Sequence, residues 1–195
     1  MSRLPILLDY VVSLGHAVFE EGEYNLNIIG IRTANSDANT FNDRICVVYK
    51  DEKKSWISRT WPCTTDPGTY YREKPMNVKG TAILKEGQYR GVYKIGKHRG
   101  KYDALVQTGG RVTVWRDNNM DDVLDMEPGT EDSGYHGINL HKAGSNSTSV
   151  DRWSAGCQVW ANADDFACFM DICRKQVSER GWRTFTYTLV AEPVM

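Results

Sequence analysis

Short β-branched and aromatic runs, each closed by Gly, Pro, Asn or Asp, recur along this chain and leave room for few helices. Residues 24–32, 44–50, 55–61, 80–84, 89–95, 104–107, 112–115 and 184–190 read as strands, by alternation or by β-branched content. Residues 51–54 turn the second run onto the third as a hairpin, and Thr108-Gly109-Gly110 does the same for the sixth and seventh. Cys63-Thr64-Thr65-Asp66-Pro67-Gly68 is a turn in which Pro fixes φ and Gly accepts a left-handed position. Residues 33–43 read as a polar loop and 70–80 as irregular.

Two segments carry helical spacing. Leu7, Val11, Leu14 and Val18 give an amphipathic helix over 4–19, stopped by Glu20-Glu21-Gly22-Glu23 and expected to lean on the sheet. Phe166, Phe169, Met170, Cys173 and Val177 form one stripe over 162–180, with Asp164 and Asp165 in the first turn and Gly181 at the end. The pattern predicts a mostly β single domain over 1–195, with residues 1–22 as a helical extension and 24–190 as the core.

With 24 basic and 25 acidic residues, the net charge of −1 gives no nucleic-acid footprint. Five cysteines (Cys46, Cys63, Cys157, Cys168, Cys173) show no repeating spacing, which points to reduced thiols, and no Cys/His metal pattern or cofactor motif accompanies them. Asp9 interrupts the apolar run at 4–8, so neither a signal peptide nor a membrane span is expected. Asp117-Asn118-Asn119-Met120-Asp121-Asp122 lacks the Gly and terminal Glu of a calcium loop and reads as a solvated acidic loop. Lys97, His98, Arg99 and Lys101 read as a solvated basic loop, or as a site for an anionic substrate.

The chemistry concentrates in Gly137-Ile138-Asn139-Leu140-His141 and Trp153-Ser154-Ala155-Gly156-Cys157, with His141 and Cys157 16 residues apart. As a strand, 137–141 turns Ile138 and Leu140 to a core and places Gly137, Asn139 and His141 on the open face. By the same parity His136 falls on the core side and is the poorer base. A thiol of pKa about 8.5 becomes a nucleophile when an imidazole takes its proton, and Gly156 frees backbone N–H groups for an oxyanion. Taken singly, a Cys after a Gly and a strand His are ordinary packing residues.

At Leu140-His141 and Ser154-Ala155-Gly156-Cys157 the sequence resembles the L,D-transpeptidase (YkuD-type) catalytic domain. That family places a strand-borne His some fifteen residues before Ser/Thr-His-Gly-Cys. The hairpin over 44–61 and the turn Thr64-Thr65-Asp66-Pro67-Gly68 resemble its early strands and its Thr-Pro-Gly-type turn, so the resemblance spans about 44–160. It implies an L,D-transpeptidase-like β-sandwich with an N-terminal helix and one helix after the cysteine. It implies Cys157 as nucleophile on a peptidoglycan stem peptide and His141 as its base, oriented by a backbone carbonyl. Gly156 and the Cys157 amide belong to the oxyanion site, with Ser154 supporting the loop. Ala155 stands where the family has His, a departure that bears on the amine acceptor.

Trp153-Ser154-Ala155-Gly156-Cys157-Gln158 is similar to forms of this domain in bacteriophage and prophage proteins. The resemblance therefore implies a cell-wall peptidase, a phage lysin or virion-associated hydrolase kept in the host cytoplasm or the virion. An L,D-transpeptidase forming cross-links and an inactive virion or wall-binding protein are the alternatives. Asn139 could orient the imidazole or a substrate amide, Arg152 could take a stem-peptide carboxylate, and Trp153 could wall the site.

Overall fold

The computed structural model of the protein describes residues 4–34 and 39–193, so the ends of the chain and part of the loop expected over 33–43 lie outside the described residues. In chain order the elements are α1 (Ile6–Ser13), β1 (Asn27–Arg32), β2 (Asp43–Lys50), β3 (Trp56–Thr64), α2 (Thr69–Glu73), β4 (Thr81–Leu84) and β5 (Gly87–His98). There follow β6 (Tyr102–Gln107), β7 (Val112–Asp117), β8 (Asp132–Gly134), β9 (Leu140–Lys142), β10 (Gln158–Trp160), α3 (Ala163–Arg180) and β11 (Thr184–Ala191).

The fold is mostly β with two sheets, and the two are unequal. Eight strands close into a barrel in the order β1-β11-β5-β6-β9-β10-β3-β2, and β4-β7-β8 form a small sheet that shares its core. Closure sets this apart from the two open layers of the expected sandwich. It leaves the larger sheet without an edge. Two of the barrel pairings are parallel, β1 with β11 and β9 with β10; the second of these carries the site.

β1 is buried along its whole length instead of alternating, because each face has a cover. Ile28 packs inside the barrel, while Ile29 and Ile31 lie outside under Leu8 and Val11 of α1. The first helix therefore leans on the sheet as expected, but it stops at Ser13. Beyond it the backbone is held extended by side chains: Phe19 N–H donates to Asn27 Oδ1 (2.7 Å) and Gln88 Nε2 donates to Ala17 O (2.7 Å). Those pairings stand in place of the helical ones that the spacing through Val18 predicts.

The helix over 163–180 agrees with its pattern. Asn162 Oδ1 caps it by accepting from the N–H groups of Asp164 (2.7 Å) and Asp165 (3.2 Å), and Gly181 ends it with φ 70°. Its buried stripe meets the barrel through aromatic rings, with Phe169 and Trp160 at 4.4 Å between centroids.

Three segments expected as loop or irregular contain ordered elements. β5 runs through Lys97 and His98, so the basic segment is a strand end followed by a tight turn. Arg99 (φ 49°) and Gly100 (φ 71°) are both left-handed, and Lys101 N–H closes the turn on His98 O at 2.9 Å. The segment expected to be irregular holds α2, and the acidic stretch over 116–134, expected to be loop throughout, ends in β8.

Candidate active site

β9 and β10 lie side by side in parallel, with Leu140 opposite Gln158 and His141 opposite Val159. The pairing continues one step further, where Gln158 N–H donates to Asn139 O at 2.9 Å. Leu140 and Gln158 face the barrel interior. There Gln158 Oε1 accepts from the Tyr187 hydroxyl (2.7 Å), and its Nε2 donates to Thr65 O and Gly156 O (both 3.3 Å). Alternation then sends Asn139, His141 and Cys157 to the opposite face.

The strand does not reach back to Gly137. That residue has φ 71°, outside the extended region, so parity is lost before Ile138. His136 consequently sits on the wall of the same pocket as Cys157 and not on the core side. Its Nε2–H donates to Asp132 O (2.9 Å), and its Nδ1 accepts from Arg116 Nη2 (3.1 Å).

The cysteine loop is clasped by one side chain. Ser154 Oγ donates to Cys157 O (2.8 Å) and accepts from Gly156 N–H (3.1 Å). Gly156 has φ 116°, and a Cβ there would stand 2.4 Å from Ala82 O on β4, so no other residue fits. The Pro-Gly turn holds the loop from below: Gly68 N–H donates to Ser154 O at 2.9 Å. The turn itself is fixed by buried charges. Thr65 N–H and Oγ1–H both donate to Asp43 Oδ2 (2.7 and 2.8 Å), and Arg32 reaches Asp66 (3.0 Å) and Glu86 (2.6 Å).

Cys157 is half-buried on the wall of a pocket of about 400 Å³. Its Sγ accepts from Asn139 N–H and donates to Gly137 O, each at 3.4 Å. Burial pushes the thiol up to about 11, against a smaller opposing pull from the Asn139 N–H, so the resting group is a neutral thiol.

His141 is 2% exposed, against the expectation of an open face. Its Nδ1–H donates to Lys142 O at 2.8 Å, the backbone-carbonyl orientation the resemblance implied. That leaves Nε2 as a lone pair, buried and without a hydrogen-bond partner among the described residues, Cys157 included. Burial first, and the neighbouring His98 second, lower its pKa to about 3, so the ring is neutral.

What covers His141 is another imidazole. The His98 ring stacks on it with centroids 4.0 Å apart and borders the pocket in its place. The stack is oriented through Asn139. Gln107 N–H donates to Asn139 Oδ1 (2.9 Å), which fixes the amide so that its Nδ2 donates to His98 Nδ1 (3.2 Å). Asn139 thus orients an imidazole as anticipated, but that of His98. Alternation carried past Lys94 to His98 could have found this residue, since it needs only a longer strand.

Ala155 lines the pocket with Cys157, whereas Arg152 and Trp153 do not. The Arg152 guanidinium lies 3.9 Å over the Tyr70 ring, and Trp153 is 44% exposed beside it on a separate shallow groove along α2. Neither is placed to hold a group reacting at Cys157.

The chain matches no family model, no curated protein and no solved structure.

Proposed function

We propose that the chain is a cysteine acyl-transfer enzyme of L,D-transpeptidase-like fold that hydrolyses peptidoglycan stem peptides through a thioester on Cys157. The single observation that supports this most is the unpartnered Nε2 lone pair of His141, on the same sheet face as Cys157. A buried acceptor without a donor is costly, of order 1–3 kcal/mol, and a proton-receiving role is one physical reason for keeping it.

The chemistry follows from the neutral pair. A bound peptide carbonyl draws the Cys157 thiol off its bond to Gly137 O; sulfur attacks the carbonyl carbon as the thiol proton passes to imidazole. The Gly156 N–H is held by Ser154, so the Cys157 N–H is the donor offered to the oxyanion. The imidazolium returns its proton to the leaving amine, which departs and leaves the thioester. Water then gives a proton to the imidazole and attacks the thioester, releasing the acid and restoring the thiol. An amine in place of water yields a new amide, the transpeptidase outcome.

The similarity of Trp153-Ser154-Ala155-Gly156-Cys157-Gln158 to phage forms supports a lysin or virion-associated hydrolase over an enzyme of wall synthesis. The missing hydrogen bond between Cys157 and His141 supports a second reading, a wall-binding protein that has kept the fold without the activity.

Incubation with purified peptidoglycan, followed by mass analysis of the fragments, separates these. Hydrolysis gives free peptide ends that disappear with Cys157→Ala. New stem-to-stem links identify a transpeptidase, and unchanged peptidoglycan identifies the binding protein.

A further inference from the structure

Attack by Cys157 on a carbonyl turns its oxygen into an oxyanion, and such an oxygen is ordinarily met by a pair of preorganised donors. The Ser154 clasp takes the Gly156 N–H, which leaves the Cys157 N–H as a single backbone donor. Ala155 brings no polar side chain to the pocket wall. Two larger groups on that wall are already engaged. Arg116 meets Asp132 through Nε and Nη2 (3.1 and 3.0 Å) and Gly80 O through Nη1 (3.2 Å), and His136 spends both ring nitrogens on Asp132 O and Arg116.

His98 differs. Its Nδ1 accepts from Asn139 Nδ2 at 3.2 Å, and that amide is held in place because its Oδ1 accepts the Gln107 N–H at 2.9 Å. The ring hydrogen is therefore on Nε2. Nε2 has no hydrogen-bond partner among the described residues, and the side chain borders the pocket. The ring packs against both His141 (4.0 Å) and Tyr102 (5.6 Å), so the donor has a fixed direction. It is also close to the sulfur through one residue: the Asn139 backbone N–H meets Cys157 Sγ at 3.4 Å while the Asn139 side chain meets His98.

We infer that His98 is a further catalytic residue, a neutral imidazole whose Nε2–H donates to the carbonyl oxygen of the group that Cys157 attacks and completes, with the Cys157 N–H, an oxyanion site. The inference rests on the acyl-transfer reading above for the role of Cys157, and holds for any acyl group that the thiol accepts.

The stacked rings then have opposite polarity and separate tasks. His141 offers an Nε2 lone pair, and His98 offers an Nε2–H. As sulfur bonds to the carbonyl carbon, the π pair of the C=O bond moves onto oxygen and the thiol proton passes to His141. His98 keeps its own proton throughout and contributes a hydrogen bond alone. When the C=O bond reforms, the leaving group departs with the proton from His141. Burial first, and Arg99 second, lower the pKa of His98 and keep it neutral. Neutrality suits the task, because a cation stacked on His141 would oppose the charge that His141 must gain.

The test compares two reactions of the intact protein at Cys157. The thioester S-acetyl-N-acetylcysteamine acetylates the thiol through a tetrahedral oxyanion, whereas iodoacetamide alkylates it by displacing iodide and forms none. Each adduct is read from peptide masses, with the exposed Cys168 on α3 as reference. His98→Phe keeps an aromatic ring over His141 without the donor, and should slow acetylation of Cys157 by about 10²–10³-fold, the usual loss for one oxyanion donor. Its alkylation of Cys157 should be unchanged. His98→Gln, whose amide supplies an N–H from a similar reach, should recover most of the acetylation. In the wild type, ring-nitrogen NMR shifts of labelled histidine should place the His98 hydrogen on Nε2, a reading that needs no variant. Acetylation unmoved by His98→Phe, acetylation and alkylation lost in step, or an Nδ1–H tautomer of His98 each overturns the inference. Acetylation that depends on His98 in a protein that leaves peptidoglycan intact keeps the role of His98 and removes the peptidoglycan reading. Cleavage of peptidoglycan through Cys157 with no dependence on His98 does the reverse.

Discussion

His98 and His141 stack ring on ring with centroids 4.0 Å apart, where β6 of the β5–β6 hairpin pairs with β9 in the barrel. Two imidazoles at that distance cannot both carry charge without strong repulsion. Both are pushed toward the neutral form, His98 by burial and then by Arg99, and His141 by burial and then by His98.

Stability should therefore fall on acidification. The folded pKa of His141, about 3, lies below its unfolded value of about 6.5, so between these limits the unfolded chain binds the proton first. The contribution is full above the unfolded value and is lost as pH falls toward the folded one, at up to ~1.4 kcal/mol per pH unit. Urea midpoints of wild type and His141→Gln from pH 7 to 5 should show a shallower slope in the variant. Parallel slopes would contradict the buried neutral imidazole.

The thiol gives a second pH signature. With Cys157 at about 11, its alkylation by iodoacetamide should keep rising about tenfold per pH unit from 7 to 10, in step with the thiolate fraction. Mass mapping of Cys157 across that range checks it. A plateau near neutrality would mean that thiolate and imidazolium form an ion pair at rest.

The cysteine loop depends on two residues of small volume. Ser154→Ala removes the clasp between Cys157 O and Gly156 N–H in a buried loop and should cost ~1–3 kcal/mol in chemical denaturation. Gly156→Ala forces a Cβ against Ala82 O from a left-handed backbone and should cost at least as much, with Cys157 alkylation altered in rate. Stability unchanged in both variants would contradict the described loop.

Much of this was legible in the sequence, and the failures share a physical cause. The helix over 163–180 showed because eighteen residues repeat one spacing between a cap and a stop. The hairpin of β2 and β3 rests on a local signal and is in the structure. The one expected across Thr108-Gly109-Gly110 is not, because β6 joins the barrel and β7 the small sheet, and Gly68, expected in a left-handed turn position, is extended with φ −73° and caps α2. Parity puts His136 on the core side only when carried across Gly137, whose positive φ resets it. Strand parity puts His141 in the open because a single strand cannot report which side chain from another strand of the barrel lies over it. The cover is His98, 43 residues earlier in the chain. Segments as short as α2, β8 and β10 carry too few residues for any period to register.

Arg152 and Trp153 supply a contrasting prediction. Both stand on the α2 groove and not in the Cys157 pocket, so Arg152→Ala and Trp153→Ala should each shift stability within about 0.5 kcal/mol and leave Cys157 alkylation unchanged. A several-fold loss of Cys157 reactivity in either variant would return them to the site.

The proposed chemistry requires a covalent bond between Cys157 and the substrate acyl group. Incubation of the protein with an isolated stem tetrapeptide donor, quenched in acid and read by intact and peptide mass, should show an acyl adduct on Cys157. The adduct should be absent in Cys157→Ala and slower to form by about 10²–10⁴-fold in His141→Gln, the usual range for loss of a general base. A wild-type protein that cleaves peptidoglycan with no adduct on Cys157, or a Cys157→Ala protein that still cleaves it, would contradict the mechanism.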